Sequence, residues 1–303
     1  MFVCDMSDLR ETAALIALLR RGDRLWHHYA ELVESAGSAV AVLDGDFDDP
    51  AREQSLALFE DGEPAAVDLD AISAEVAAWR DEGFAVLTVL DDGYPANLRT
   101  VHNRPPILFV HGALSEVDER SVAVVGTRRA SEAGLARATE VATSVAAGGY
   151  TVVSGLAAGV DTAAHEAALA AGARTVAVIG TGLRRSYPRE NAELQRRIAS
   201  EGAVVSQFWP DAPPSRTSFP MRNAVMSGFA LATVVIEASH TSGARMQARL
   251  ALEHGRPVFL HESLLSHEWA REYAERPGAH VVASGGEVVE HVDRLTSLET
   301  LTA

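Results

Sequence analysis

The sequence predicts an α/β protein built on a mostly parallel sheet with helices on both faces. Two observations carry that expectation. Six short apolar runs lie between Ser121 and Leu260: Ser121–Val125, Thr151–Ser154, Thr175–Gly180, Ala203–Ser206, Thr233–Ala238 and Pro257–Leu260. None alternates polar with apolar, as expected of strands buried on both faces. Helix-length segments separate most of them, and strands alternating with helices build a parallel sheet. In such sheets ligands bind where strands end and helices begin, because free N–H groups and the helix dipole point there.

In chain order, residues 1–40 read as two helices, about Asp8–Arg21 and Arg24–Ala36, broken at Gly22-Asp23. His27 and His28 fall in the second helix, where neighbours point about 100° apart and make poor joint metal ligands. Asp44–Asp70 is acidic and reads as solvated loops around a short helix. Its Asp44-to-Asp49 cluster lacks the Gly and final Glu of a calcium loop. A helix from Leu69 to about Glu82 leads into a strand over Phe84–Leu90, a turn at Asp91–Pro95 and a short helix. Pro105–Gly112 reads as an apolar strand that joins or caps the main sheet. Beyond Leu260, His261–Gly278 is polar and aromatic, Ala279–Ala283 reads as a last strand and Glu287–Leu295 as a last amphipathic helix. The expected division is a small helical region with an acidic linker over 1–66, an α/β core over 67–262 and a strand/helix extension over 263–303.

The 303 residues contain no apolar run long enough to span a membrane and no basic-then-apolar leader pattern. Cys4 is the only cysteine, which rules out an internal disulfide or a cysteine metal cluster. A cytoplasmic protein with no membrane contact is expected. All 26 basic residues are Arg, so a P-loop lysine, a Schiff-base lysine and a lysine base are excluded. The net charge of −16 argues against a protein that coats nucleic acid generally. It is unevenly placed: Ser121–Arg256 holds 14 Arg against 10 acidic residues, and the rest holds 12 against 32. The α/β core is the part suited to an anion.

Five strand-to-helix loops carry the candidate chemistry. In Gly126-Thr-Arg-Arg-Ala-Ser131, Gly126 permits a tight turn and Ser131 can cap the next helix. Arg128 stands where a phosphate would meet helix N–H groups, and its planar fork suits that anion. A structural turn with a solvated Arg is the other reading, and a dinucleotide site is poorly supported without G-x-G-x-x-G. Ser154-Gly-Leu-Ala-Ala-Gly-Val-Asp-Thr-Ala-Ala-His165 joins a Gly-rich loop to a helix start. Its Asp161 and His165 share one helical face and can hydrogen-bond, as a structural pair or in acid–base work. Gly180-Thr-Gly-Leu-Arg-Arg-Ser-Tyr-Pro188 adds Arg184, Arg185 and a Tyr suited to stacking. Phe219-Pro-Met-Arg-Asn-Ala-Val-Met-Ser227 and Glu237-Ala-Ser-His-Thr-Ser-Gly-Ala-Arg245 put Arg222, Asn223 and Ser242 near further helix starts. In a parallel sheet these loops largely converge on one edge, which favours a site for phosphate or nucleotide. No His and acidic spacing forms a metal set.

At these residues the chain resembles the DNA-processing protein A family (DprA/Smf). The family's G-[ST]-R is Gly126-Thr127-Arg128, and its S-G-L-A-x-G-[IV]-D-x-x-A-H is matched in full by Ser154 to His165. Ala177 to Asn191 matches A-V-[IL]-G-x-G-L…Y-P-x-x-N, and Phe219 to Asn223 matches F-P-x-R-N. Val235 to Phe259 follows V-[IV]-E-A…S-G-[SA] and A-x-E-x-G-R-x-V-F. The likeness covers about residues 69–260. The chain departs from the pattern where R-N-R-I-I becomes Arg222-Asn-Ala-Val-Met226, where S-E becomes Ser206-Gln207, and where the P-G after V-F-x-V is absent, leaving Leu260-His261-Glu262-Ser263. A C-terminal winged-helix domain is expected to be lacking.

The resemblance implies an extended Rossmann-like fold and a non-catalytic, single-stranded DNA-binding protein without cofactor. It implies a homodimer that helps load RecA recombinase in recombination or natural transformation. Carried over, the phosphate-binding set is Gly126, Thr127, Arg128, Ser154, Gly155, Gly159, Gly182, Arg222, Asn223, Ser242, Gly243 and Arg245. Asp161, His165 and Glu237 are orienting residues. Two alternatives use the same scaffold: a binder or sensor of a nucleotide-derived small molecule, and a phosphoribohydrolase-type enzyme. The second lacks its P-G-G-x-G-T-x-x-E motif, because Glu237-Ala-Ser-His-Thr-Ser-Gly243 occupies that place.

Overall fold

The computed structural model describes residues 6–47 and 67–302. The chain divides into two compact units, one running to Tyr94 and including Pro105–Leu108, the other comprising Pro95–Arg104 and the chain from Phe109 onward.

The first unit contains helices α1 (Met6–Arg21), α2 (Trp26–Ala36), α3 (Ala39–Asp44) and α4 (Leu69–Asp81), followed by strand β1 (Phe84–Thr88). Thr12 through Leu19 of α1 are buried because α3 and α4 both pack on it. Gly37 ends α2 in the left-handed region at φ 66°, which glycine adopts at little cost. The short helix α3 is absent from the sequence reading because six residues give too little periodicity. Its start is held from α1: the Glu11 carboxylate accepts from Ser38 Oγ at 2.7 Å and from Ala39 N at 2.6 Å. The acidic residues Asp48, Asp49, Glu53, Glu60, Asp61 and Glu63 lie outside the described residues.

The chain continues with α5 (Ala96–Arg99), β2 (Ile107–Gly112), β3 (Ser121–Val125), α6 (Glu132–Ala147), β4 (Thr151–Ser154) and α7 (Val160–Ala170). After these come β5 (Thr175–Val178), α8 (Ala192–Glu201), β6 (Ala203–Ser206), α9 (Ser218–Phe229), β7 (Ala232–Val235) and α10 (Gly243–Glu253). It closes with β8 (Val258–His261), α11 (Glu268–Ala274), β9 (Ala279–Val282) and α12 (Gly285–Thr302). The strands expected to reach Gly180 and Ala238 end early, at Val178 and Val235, because the residues after them turn into loops of the site, and the strand from Phe84 ends at Thr88 rather than Leu90. The polar segment after His261 holds a helix, α11, whose seven residues escaped a periodicity reading.

In the second unit the described strands lie in the order β2-β6-β5-β4-β3-β7-β8-β9. From β6 to β9 every neighbouring pair is parallel, and β2 lies antiparallel on β6 with Phe109 opposite Ser206 and Gly112 opposite Ala203. Val122, Val124, Val152 and Val234 face a core closed by α6, α7 and α12, where Val141, Val145, Val160 and Val288 are buried. Successive strand residues point to opposite faces. Helices α9 and α10 pack on each other, α9 against β3 and β5 and α10 against β7.

The chain order reverses at β3. From there it runs outward through β4, β5 and β6, then returns to place β7 on the other flank of β3. The loops after β3 and β7 therefore diverge and leave a crevice between them, the place where open α/β sheets take ligands. No helix among the described residues is long and apolar enough to cross a membrane.

Candidate functional site

That crevice holds a cavity of about 260 Å³. The loop after β3 contributes Gly126, Thr127 and Arg128, and the loop after β4 and the start of α7 contribute Ala157 and Asp161. Helix α9 adds Phe219, Arg222 and Asn223, and the start of α10 adds Ser242 and Gly243. A second cavity of about 80 Å³ is lined by Gly155, Gly180, Thr181, Tyr187 and Pro188. Arg128, Phe219 and Arg222 line both cavities. Residues from all five loops thus converge, from segments spread over more than a hundred positions of sequence.

The two arginines differ in setting. The Arg128 guanidinium lies 4.8 Å from the Phe219 ring centre and 5.8 Å from that of Tyr187, which is 43% exposed. Among the described residues Arg128 has no ion-pair partner, so its charge stays available at the cavity. Arg222 is buried. Its Nη1 donates to the Val178 carbonyl at 3.2 Å and lies 3.9 Å from Asp161 Oδ2, while its Nε finds no acceptor. Burial lowers the Arg222 pKa, and the nearby Arg128 charge pushes the same way. Two guanidiniums at one small cavity, one of them with an unused donor, form a setting that an anion would stabilise.

Asp161 is also buried. Its Oδ2 accepts from Gly155 N at 3.2 Å and Ala157 N at 3.4 Å. Burial raises its pKa, against the opposing pull of Arg222 and these N–H groups. The expected hydrogen bond between Asp161 and His165 is not formed. Asp161 occupies the first turn of α7, so its carboxylate folds back on the loop N–H groups. His165 Nδ1 instead pairs with Thr175 Oγ1 at 2.7 Å. Burial, helped by Arg222, pushes the His165 pKa down to about 3 and keeps the ring neutral.

The loop after β4 is held in an uncommon conformation. Leu156 has φ 56°, a left-handed geometry that costs an L-residue of order 1–2 kcal/mol. Asn191 Nδ2 donates to the Leu156 carbonyl at 2.9 Å and to Thr162 Oγ1 at 2.8 Å, fixing the loop against the start of α7. Gly155 is required for a spatial reason, because a Cβ there would collide with the Arg222 guanidinium. Glu237 ties the two sides of the crevice together. Its carbonyl accepts from Thr127 N at 2.7 Å, and its carboxylate accepts from Ser131 Oγ at 2.6 Å. Ser242 Oγ accepts from Ala244 N at 3.2 Å and caps α10.

Several expected site residues lie away from the cavities. Ser154 Oγ donates to the Val124 carbonyl inside the sheet. Gly159 packs against the backbone of Thr127 and Arg128, and Gly182 against the carbonyls of Trp209 and Pro210. Arg184 pairs with Asp211 and Arg185 Nε donates to the Asp211 carbonyl, so neither lines a cavity. Arg245 donates to the His240 carbonyl at 3.1 Å, beyond the cavity wall. The sequence reading missed Gln247 as a lining residue, while Met226 and Ser239, within its fourth and fifth candidate stretches, also line the larger cavity. Only the helical spacing of Gln247 from Gly243 and Ala244 could have pointed to it. With its amide oriented to suit both neighbours, Gln247 donates to the Asn223 carbonyl at 3.0 Å and accepts from Ser227 N at 3.2 Å.

A DNA processing protein DprA of Streptococcus pneumoniae is 40% identical over 176 residues, 58% of this chain and 62% of that protein. A putative DNA processing protein DprA of Mycobacterium tuberculosis is 33% identical over 251 residues, 76% of this chain and 63% of that protein. The matched part is thus less than two thirds of either relative. The X-ray structure of the Streptococcus pneumoniae DprA superposes with a TM-score of 0.66 at 31% identity, covering 93% of this chain and 95% of that one. A Helicobacter pylori DNA processing protein A, described for its single-stranded DNA binding mode, superposes at 0.62 with 25% identity, covering 70% and 96%. The family model for DNA recombination-mediator protein A matches residues 85–298. The chain belongs to the DNA recombination-mediator protein A family.

Proposed function

We propose that this chain binds single-stranded DNA at the crevice beside β3 and assists RecA loading in recombination or natural transformation. The observation that carries the reading is the convergence of Arg128 and Arg222 on one cavity, with Arg128 laid against Phe219 and Tyr187. Arginine beside aromatic rings is how sequence-independent single-strand sites combine phosphate attraction with base stacking. Membership of the family and the Helicobacter pylori relative's single-strand binding support it. Holding a strand rather than cleaving one fits the donor set, since Asp161 is committed to Gly155, Ala157 and Arg222. The working form we propose is a cytoplasmic homodimer.

The size and shape of the larger cavity support a second reading, a small nucleotide-derived ligand held there alone. Fluorescence polarisation of labelled oligo-dT separates the two. Wild-type protein is expected to bind at low salt and Arg128→Ala to lose most of that binding. Wild-type protein that ignores the oligonucleotide at low salt but is thermally stabilised by a mononucleotide would overturn the first reading in favour of the second.

A further inference from the structure

We infer that the bound strand leaves the crevice across a second basic patch formed by Arg245, Tyr273 and Arg276. This rests on the single-strand reading above. Tyr273 is buried on α11 and packs edge-on against Trp269 at 5.6 Å. Its ring carries two guanidiniums: that of Arg276 at 4.1 Å from the ring centre and that of Arg245 at 5.7 Å. Arg245 Nη1 also meets His240 Nε2 at 3.0 Å. Three acidic residues, Glu268, Glu272 and Glu275, lie on α11 or directly after it. None forms an ion pair with Arg245 or Arg276 among the described residues. Two cations held on one ring repel each other, and an anion between them relieves that repulsion.

The patch adjoins the crevice through the chain itself. Ser239, Ser242, Gly243 and Ala244 line the larger cavity. His240 and Arg245 are their immediate neighbours in sequence, and consecutive Cα atoms are about 3.8 Å apart. A strand with a phosphate at Arg128 and Arg222 therefore reaches Arg245 by passing over the start of α10, where the positive end of the helix dipole favours an anion.

The test titrates wild type, Arg276→Ala and Arg128→Ala against labelled oligo-dT of about 6 and about 25 nucleotides, lengths that fill one site or run past it. Arg276 is exposed, so its substitution leaves the fold intact. The expected result is unchanged affinity of Arg276→Ala for the short strand and about three- to ten-fold weaker binding of the long one, with a shallower salt dependence. Unchanged affinity for the long strand, or equal weakening at both lengths, overturns the inference. Loss of Arg128→Ala binding at both lengths, with Arg276→Ala unaffected, sinks this patch and leaves the single-strand reading standing. Wild type binding neither length sinks both. Poly-glutamate binding that depends on Arg276 while DNA binding does not would overturn the inference and mark the patch as a site for an acidic peptide.

Discussion

The Arg222 guanidinium sits 3.9 Å from the Asp161 carboxylate, and each side chain is only 6% exposed. Removing two charges from water costs several kcal/mol each, and a pair at this distance recovers part of that. The contact is too long to be a hydrogen bond. Arg222 therefore stays incompletely satisfied, beside a second arginine, at a wall where a ligand can reach it.

Asp161→Asn keeps an acceptor for Gly155 N and Ala157 N but removes the negative charge. Arg222 is then buried without compensation, which costs about 3 kcal/mol of folding stability. Urea unfolding reads that loss. Polarisation should show tighter oligo-dT binding by the folded variant, because the cavity gains positive charge. Undiminished stability would mean that the pair contributes nothing to the fold.

Gly155→Ala places a Cβ against the Arg222 guanidinium. The arginine must move, at about 1–3 kcal/mol for overpacking a buried site. Both stability and oligo-dT affinity should fall together, measured by thermal melts and polarisation. A variant that binds as wild type would show that Arg222 is not needed where it sits.

Phe219→Leu keeps apolar bulk but removes the ring face under Arg128. A cation over an exposed ring is worth about 0.5–1 kcal/mol, so affinity should drop roughly two- to five-fold with little change in melting temperature. No change in affinity would mean that the ring neither positions Arg128 nor meets the strand.

Stability should fall as pH drops below neutrality. His165 is held at about 3 and His254 at about 4, both by burial first, against a usual 6.5. His254 is fixed between Ser227 Oγ at 3.0 Å and Asn103 Oδ1 at 2.9 Å. Both rings are neutral in the fold, and the unfolded chain takes up their protons near 6.5. The stability they contribute is present in full above that pH. It is lost progressively below it, down to about 4 for His254 and about 3 for His165. Urea midpoints from pH about 7 to about 5 should therefore decline more steeply for wild type than for His254→Gln. Parallel declines would remove His254 as a cause.

Much of this was legible in the sequence. The strands Thr151–Ser154 and Ala203–Ser206 lie where their apolar runs put them, because a doubly buried strand has no other pattern to show. The convergence of the loops followed from parallel topology alone. What the sequence did not show is which residues turn inward. Asp161 and His165 share a helical spacing, yet the loop N–H groups capture one and Thr175 the other. Arg184 and Arg185 read as anion binders by type, while Asp211, distant in sequence, holds both away from the cavities. Spacing settles which residues share a face; competition among partners settles where a side chain ends.

The central claim is that phosphates of a single strand meet Arg128 at this crevice. The most direct measurement is the slope of log affinity for oligo-dT against log salt, for wild type and Arg128→Ala. Each phosphate contact on a single strand contributes about −0.7 to that slope, so wild type should show a clear negative slope and the variant one shallower by about 0.7. Equal slopes for the two proteins, or a wild-type affinity indifferent to salt, would contradict it.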